Sequence, residues 1–323
     1  MNKSLDYKPQ THHLDHILFD VEQIPITAQY QQGINKIQEI KVEGYKALYN
    51  KRDKQVLSIV TNNYQLITNK QALEIGKMVF CELFPSVIPA DLIPFKVIST
   101  KRLSSCHIDL VHKDINFSQW EQDTWLPFLR ISNSYNRTVA LSFEIGFVRE
   151  LCSNGFIFDK KSIKVKYAHT RGLLPVDFKV DVSRLRKYEV EFTNYLNNLS
   201  RFYVDPIYVF PLVLKSLNLK FNLDKNNRNL HNEQIRLEKT REIISELTKS
   251  YYEELKPTAY AVLSIITDFV SHQEKYNTIP MFKAHINSYY YKPGQWMHDF
   301  TESIQKTSFN MDDYLGDFLT YKN

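Results

Sequence analysis

Apolar and polar residues alternate along much of the first half of the chain, and this two-residue period predicts β-strands. Short polar turns separate the alternating runs, so the strands are expected to pair as hairpins. Val139, Leu141, Phe143 and Ile145 share one face of such a run and are predicted to lie in the core. The predicted strand segments are Tyr45–Asn50, Gln55–Thr61, Phe95–His112 with a turn at Lys101 and Arg102, Trp125–Ile131, Thr138–Phe147 and residues 156–170.

The spacing of the apolar residues changes to three or four after Pro175, which predicts helices. In the first half a single helix is predicted from about Asn69 to Phe84, where Thr68 and Gln71 have the spacing of a capping box. The helices predicted in the second half are Val182–Phe202, Pro206–Leu217, Asn232–Leu255, Thr258–Glu274 and Ile279–Ser288. This order predicts an α+β fold, with an N-terminal mixed or antiparallel sheet, one packed helix and a helical C-terminal region.

The change of pattern divides the chain into three regions. Residues 1–43 are polar with short apolar patches, and we predict that they form a loosely ordered N-terminal arm. Residues 44–175 are the predicted β-rich core, and residues 176–323 are a helical region packed on the core or appended to it. A chain of 323 residues that is 43% hydrophobic can bury a large core in one or two domains.

Composition limits the class of protein. The chain has only 8 glycines, which argues against glycine-rich phosphate loops. Its 3 cysteines are well separated and odd in number, as is typical of free thiols in a reducing compartment. The sequence shows neither an apolar leader nor a run of about eighteen apolar residues, the length that spans a membrane. We therefore predict a cytoplasmic protein that does not associate with membranes.

Basic residues concentrate after the last predicted strand pair. The segment from Lys160 to Lys187 contains nine basic and two acidic residues, so its net charge is +7, compared with +5 for the whole chain. This pattern is typical of a phosphate-binding surface, although a solvated strand or helix face has it too. Basic grooves with exposed aromatic residues suit single-stranded nucleic acid, because bases stack on the rings. The predicted nucleic-acid-binding residues are Arg130, Asn133, Tyr135, Arg137, Arg149, Asn154, Lys160, Lys161, Lys164, Lys166 and Arg171.

Candidates for catalysis or metal binding are few. Asp268 and His272 stand four residues apart on a predicted helix and can hydrogen-bond, but this spacing is also that of an ordinary stabilising pair. Cys152 has no assigned histidine partner, and a buried thiol is the default for such a cysteine. The histidines of His12–His16 lack further ligands at metal-binding spacing. We assign no catalytic or metal-binding residue and expect no cofactor.

Seven short segments carry a resemblance to a known family. In chain order they are GYKAL, NNYQLITNKQALEI, ISNSYNRTVALSF, VRELCSNGF, KYAHT, PTAYAVLSIITDFVSH and PGQWMHDF. Over roughly residues 44–300 their order and spacing resemble the phage- and plasmid-encoded proteins grouped as domain of unknown function 932. The chain departs from that family at Tyr135–Arg137, where its members often carry Asp-Gly, and retains Arg149, Cys152 and Asn154. The resemblance implies a phage, prophage or plasmid gene and implies no molecular activity.

These observations lead to one hypothesis and two alternatives. We predict a nucleic-acid-binding protein of phage or plasmid DNA metabolism, which binds or anneals single-stranded DNA. The first alternative is a protein-interaction factor, such as an inhibitor of a host defence system, whose partner is a host protein. The second is an enzyme of unknown reaction built around Asp268 and His272 or Cys152. The pattern is equally compatible with a monomer and with an oligomer.

Overall fold

The computed structural model describes residues 11–31, 37–115, 123–149, 154–157, 164–167, 182–272 and 289–322. Antiparallel sheets make up the first half of this structure and helices the second half, which confirms the predicted α+β class. The strands are β1 Val21–Gln31, β2 Ile37–Asn50, β3 Gln55–Thr61, β4 Ile93–Ser99, β5 Ser105–Val111, β6 Trp125–Ser134, β7 Leu141–Arg149, β8 Gly155–Ile157 and β9 Lys164–Tyr167.

Five helices begin and end close to the positions predicted for them, namely those that start at Asn69, Val182, Pro206, Leu230 and Ala259, whereas the helices that start at Thr11, Lys292 and Met311 were not predicted. The helices are α1 Thr11–Ile17, α2 Asn69–Leu83, α3 Val182–Arg201, α4 Pro206–Leu217, α5 Leu230–Leu255, α6 Ala259–Ser271, α7 Lys292–Ile304 and α8 Met311–Leu315, with 3-10 turns at Pro89–Asp91 and Gly316–Tyr321. The predicted capping box is present, since Thr68 accepts a hydrogen bond from the Gln71 backbone N–H and the Gln71 side chain accepts one from the Thr68 N–H. The helix predicted at Ile279–Ser288 lies outside the described residues. No helix in the described ranges is long and apolar enough to cross a membrane.

The strands form two sheets. Sheet A has the order β1-β2-β3, and sheet B has the order β4-β5-β6-β7-β8, with β9 also pairing with β7. Within the described chain every pairing is antiparallel. β8 pairs with the second half of β7 and β9 with its first half, so these two short strands lie on the same edge.

Strands β6 and β7 form the centre of the fold, and each of their residues is buried. On one face of sheet B, helix α2 approaches so closely at Gly76 that its backbone lies against Ile131. Farther along this face, Phe192 of α3 stacks on Phe147 with the ring centroids 4.5 Å apart. On the opposite face, Tyr290 packs against Arg130 just before α7. The helical region therefore packs on the sheet, and the two share one hydrophobic core.

The structure differs from the prediction of a loosely ordered arm over residues 1–43. Residues 11–31 form helix α1 and strand β1, and β2 already begins at Ile37, so the predicted boundary falls inside a strand. The physical reason is pairing: β1 obtains its backbone partners from β2, whereas Ile17 and Phe19 enter the core. The polar composition of this region suggested disorder, but it is equally compatible with a strand such as β1, which is exposed along much of its length.

Two details of the predicted turns also differ. The sequence Ser153-Asn154-Gly155 predicts a tight reversal in which Gly155 takes a positive φ, but Gly155 begins strand β8 and is not among the positive-φ glycines of the described chain. The sequence also predicts a turn over Ser132–Arg137, but the connection is shorter, because Ser132 and Ser134 continue β6 in pairing with β5. Arg137, in the connection that follows, has the positive φ of 63°.

Candidate nucleic-acid interface

Arg130 lies in the interior of the protein. Its Nε and Nη2 donate to the two carboxylate oxygens of Asp109 at 2.7 and 2.6 Å, and its guanidinium carbon lies 3.7 Å from the ring centroid of Tyr290. Burial by itself would lower the pKa of Arg130, but the Asp109 carboxylate and Tyr290 together outweigh burial, and the pKa lies above its ordinary value. Arg130 therefore forms a buried ion pair with Asp109 and cannot contact a phosphate at the surface. The prediction that it binds nucleic acid is wrong.

Arg149 is likewise buried, on the other face of the sheet. Its guanidinium donates to Asp123 and to Glu254 of α5, and Asp123 also accepts a hydrogen bond of 2.6 Å from the Tyr260 hydroxyl of α6. Burial raises the pKa of Tyr260, and the neighbouring Asp123 carboxylate raises it further. Arg149 thus connects the end of β7 to two helices. Because its side chain is buried, the prediction that it contacts phosphate is not supported.

Asn154 begins a chain of polar side chains that leads from the interior to the surface. Its Nδ2 donates to the Tyr251 hydroxyl at 2.7 Å, and that hydroxyl donates to Asp268 at 2.9 Å. His272 Nδ1 lies 3.4 Å from the Asp268 carboxylate, so the predicted pair is in contact. This chain joins the start of β8 to α5 and α6. Cys152, the other candidate for chemistry, lies outside the described residues.

Asn133 and Tyr135 are also buried, and both hold the backbone of neighbouring connections. Asn133 donates to the Ile67 carbonyl at 3.0 Å and to the Asn69 side-chain oxygen at 2.9 Å. The Tyr135 hydroxyl accepts from the Asn69 N–H at 3.0 Å, and the Tyr135 N–H donates to the Ser104 carbonyl at 2.7 Å. The prediction that these two residues line a nucleic-acid-binding groove is therefore wrong. They fix the shape of the surface above them instead.

The connections that they hold form what we call the basic end of sheet B. It consists of the β3–α2, β4–β5 and β6–β7 connections, which meet because Asn136 donates to the Ser104 hydroxyl at 3.2 Å and Tyr135 contacts Asn69. Four basic side chains are exposed at this end, namely Lys101, Arg102 and Arg137 on the connections and Lys70 in the first turn of α2. None of the four side chains forms an ion pair or hydrogen bond within the described structure.

The connections of the basic end contain no acidic residue, and the acidic residue next along the chain from Lys70 is Glu74, which pairs with Lys77. Residues 54–73, 92–108 and 131–143, which contain the three connections, include no aspartate or glutamate. The cations are therefore not neutralised by neighbours in these segments, and their fields add at one end of the sheet. The sequence predicts a turn at Lys101 and Arg102 but does not place Lys70 beside them; the feature of the sequence that groups these residues is the absence of acidic residues from the three segments.

Strand β9, which belongs to the predicted basic segment, ends next to the same end of sheet B. Strand β9 contains Lys164 and Lys166, and its last residue, Tyr167, pairs with Leu141, the first residue of β7. Since β7 begins directly after the β6–β7 connection, the chain leaves β9 at the basic end. The side chains of Lys164 and Lys166, and all of Lys160, Lys161 and Arg171, lie outside the described residues, and their contacts with nucleic acid stay a prediction.

Comparisons with protein-family models, with curated proteins and with solved structures found no match to this chain. The resemblance described above therefore stays a prediction. Among the described residues no cluster of three or more metal-ligating side chains occurs.

Proposed function

We propose that this protein binds nucleic acid, preferentially single-stranded DNA, through the basic end of sheet B. The observation that carries the proposal is the exposure of four basic side chains, without an ion pair among the described residues, on three adjoining connections that lack acidic residues and on the first turn of α2. Neutralising phosphates by lysine and arginine releases condensed counterions and is the main source of affinity for nucleic acid. The setting that we propose is phage or plasmid DNA metabolism in the cytoplasm.

The buried polar residues support this proposal by making the surface rigid. Asn133 and Tyr135 fix the start of α2 and the β4–β5 connection from below, so the cations project from a frame that is already formed. A preformed site loses less conformational entropy when it binds its ligand. In this view the two residues are positioning residues, and the phosphate contacts come from the exposed cations above them.

A half-exposed tyrosine next to the basic end favours a single strand over a duplex. Tyr45 is 50% exposed and pairs with Thr61, the residue after which the β3–α2 connection begins. Lys46 Nζ holds that connection by donating to the carbonyls of Asn62 and Tyr64 at 3.0 and 2.9 Å. Stacking of an unpaired base on an aromatic ring contributes about 1–3 kcal/mol, and a duplex does not offer its base faces in this way.

The proposal is tested by removing charge from the basic end. In the triple variant K101Q/R102Q/R137Q, we expect the slope of log K against log salt for a labelled oligothymidine to fall by about 2, since each phosphate contact on a single strand contributes about 0.7. The Kd at low salt should weaken by about tenfold or more for the same reason. Fluorescence anisotropy over a series of salt concentrations measures both quantities.

The matched control removes the same charges elsewhere. The variant K225Q/R228Q/K239Q likewise removes three positive charges, here from two lysines and one arginine that are exposed on or before α5, and its salt slope should equal that of the unmodified protein. If both variants lose affinity equally, the binding is non-specific attraction to a basic protein, and the proposed interface is wrong. Absence of binding by the unmodified protein at low salt would exclude the proposed function itself.

A single substitution separates stability from binding. Arg137 has a φ of 63°, a conformation that costs a residue with a Cβ about 1–2 kcal/mol, so Arg137→Gly should raise the free energy of unfolding by up to about 1 kcal/mol. The same change removes one cation and should lower the salt slope by about 0.7. The expected result is thus a more stable protein that binds single-stranded DNA more weakly, as measured by urea unfolding and anisotropy.

Lys54→Gly is the control for this substitution. Lys54 has a φ of 52° in the β2–β3 turn, which lies at the opposite end of that hairpin from Tyr45. It should gain stability in the same way while keeping its affinity for DNA. Equal binding by the Arg137→Gly and Lys54→Gly proteins would remove Arg137 from the interface.

A further inference from the structure

Strands β1 and β2 continue beyond the body of the protein as an exposed hairpin. We define the β-arm as Thr27–Gln31 of β1 and Ile37–Lys41 of β2, which pair from Thr27 opposite Lys41 to Gln31 opposite Ile37. All ten residues are exposed, and a register shift between Pro25 and Thr27 separates the arm from the rest of β1. A two-stranded hairpin alone is marginally stable in water, so such an arm gains most from a surface that covers it.

The β-arm exposes large apolar side chains. Tyr30 is 43% exposed, Ile37 70% and Ile40 52%. Ala28 pairs directly with Ile40, and Tyr30 stands two residues along from Ala28, so Tyr30, Ala28 and Ile40 share one face of the arm. Exposed apolar patches of this kind mark interaction surfaces.

The outer edge of β1 has no partner strand in the described part of the chain. Sheet A has the order β1-β2-β3, so no other described strand pairs with that edge, and its outward backbone groups lack ladder partners. Proteins usually protect such an edge with lysine, other charges or proline. Residues 26–31, which read ITAQYQ, contain none of these. The edge therefore has the features of a strand that pairs with another strand.

We propose that the β-arm pairs with the β-arm of a second copy of this chain, β1 against β1 and antiparallel, with a two-fold axis at Ala28. A second copy fits because the segment is self-complementary: it is uncharged, so a two-fold axis brings no like charges together. In this register Tyr30 of each copy stands opposite Ile26 of the other, an aromatic and β-branched cross-strand pair that stabilises sheets. The two three-stranded sheets then form one continuous sheet.

The test places charge on the proposed axis. Sedimentation of the full chain at about 100 µM should show a dimer of the 38.2 kDa chain whose fraction depends on concentration. Ala28→Lys and Ala28→Glu should each yield a monomer, since each brings two like charges together. An equimolar mixture of the two variants should restore the dimer, because opposite charges then meet.

Val56→Lys serves as the control, because it adds the same charge at a half-exposed position of β3 and should leave the dimer intact. A monomeric unmodified chain overturns the proposal, as does a dimer that persists in the Ala28→Lys protein. Failure of the mixture to associate also overturns it, since Ala28 would then not lie opposite its copy. Binding of DNA plays no part in these measurements, so their outcome is independent of the proposed function.

Discussion

Replacing Arg130 by methionine is expected to lower the free energy of unfolding by about 3–5 kcal/mol, which is the usual cost of removing one partner from a buried ion pair. Arg130 and Asp109 have side-chain exposures of 0% and 2% and are joined by two hydrogen bonds. Without the guanidinium, the Asp109 carboxylate stays in the interior opposite an uncharged side chain. Urea unfolding measures the loss as a lower midpoint at an unchanged m-value.

The double variant Arg130→Met/Asp109→Leu distinguishes the ion pair from simple packing. It removes both charges and fills the space with apolar atoms, and buried pairs replaced in this way often lose little stability. We expect it to be more stable than the single variant by about 2 kcal/mol or more. Equal stability of the two variants would show that the lost packing on Tyr290, rather than the unpaired carboxylate, determines the effect.

The change of Gly146 to alanine is expected to cost about 3 kcal/mol, at the upper end for an added methyl group in a packed core. Gly146 stands opposite Phe128 in the β6–β7 pair, and a Cβ at this position would overlap the Phe128 ring. It would also lie 2.6 Å from the backbone oxygen of Phe156 in β8. A side chain can rotate away, but the strand can move only by breaking its pairing, so the strain is not easily relieved.

Gly76→Ala is the control for Gly146→Ala, because the alanine Cβ at position 76 would contact side-chain atoms and no backbone atom of a neighbouring element. The closest atoms belong to Ile131, with Cγ1 at 2.6 Å, and alanine favours the helix α2 over glycine by about 1 kcal/mol. We expect its net cost to stay below about 1.5 kcal/mol, and thermal and urea unfolding of the two variants give the difference. A cost for Gly146→Ala below that for Gly76→Ala would contradict the tight packing of β8 on β7.

Local patterns predicted many elements well. The capping box at Thr68 marked the start of α2, and the predicted range of α4, Pro206–Leu217, is the one observed. These features depend on residues that are neighbours in the chain, so propensity, capping and periodicity are sufficient to reveal them. The hairpin of β2 and β3 was predictable for the same reason, because a charged turn separates two alternating runs.

The burial of Arg130 and Arg149 was not predictable in this way. Each lies in a strand that is covered on both faces, so no outward side of the strand exists for a charge. The carboxylates that compensate them come from other elements, as with Glu254 of α5, which is 105 residues from Arg149. A basic residue at a strand edge was therefore interpreted as a surface cation.

In the candidate interface, too, some features follow from local sequence and others only from tertiary contacts. The sequence by itself determined the types of element, their approximate limits and the presence of basic side chains in segments without acidic residues, because these follow from local pattern and composition. Only the tertiary structure decided which arginines are paired in the interior and which cations stand together at one end of sheet B. The reason is that burial and ion pairing are contacts between distant parts of the chain, and they exist only once the helices cover both faces of the sheet.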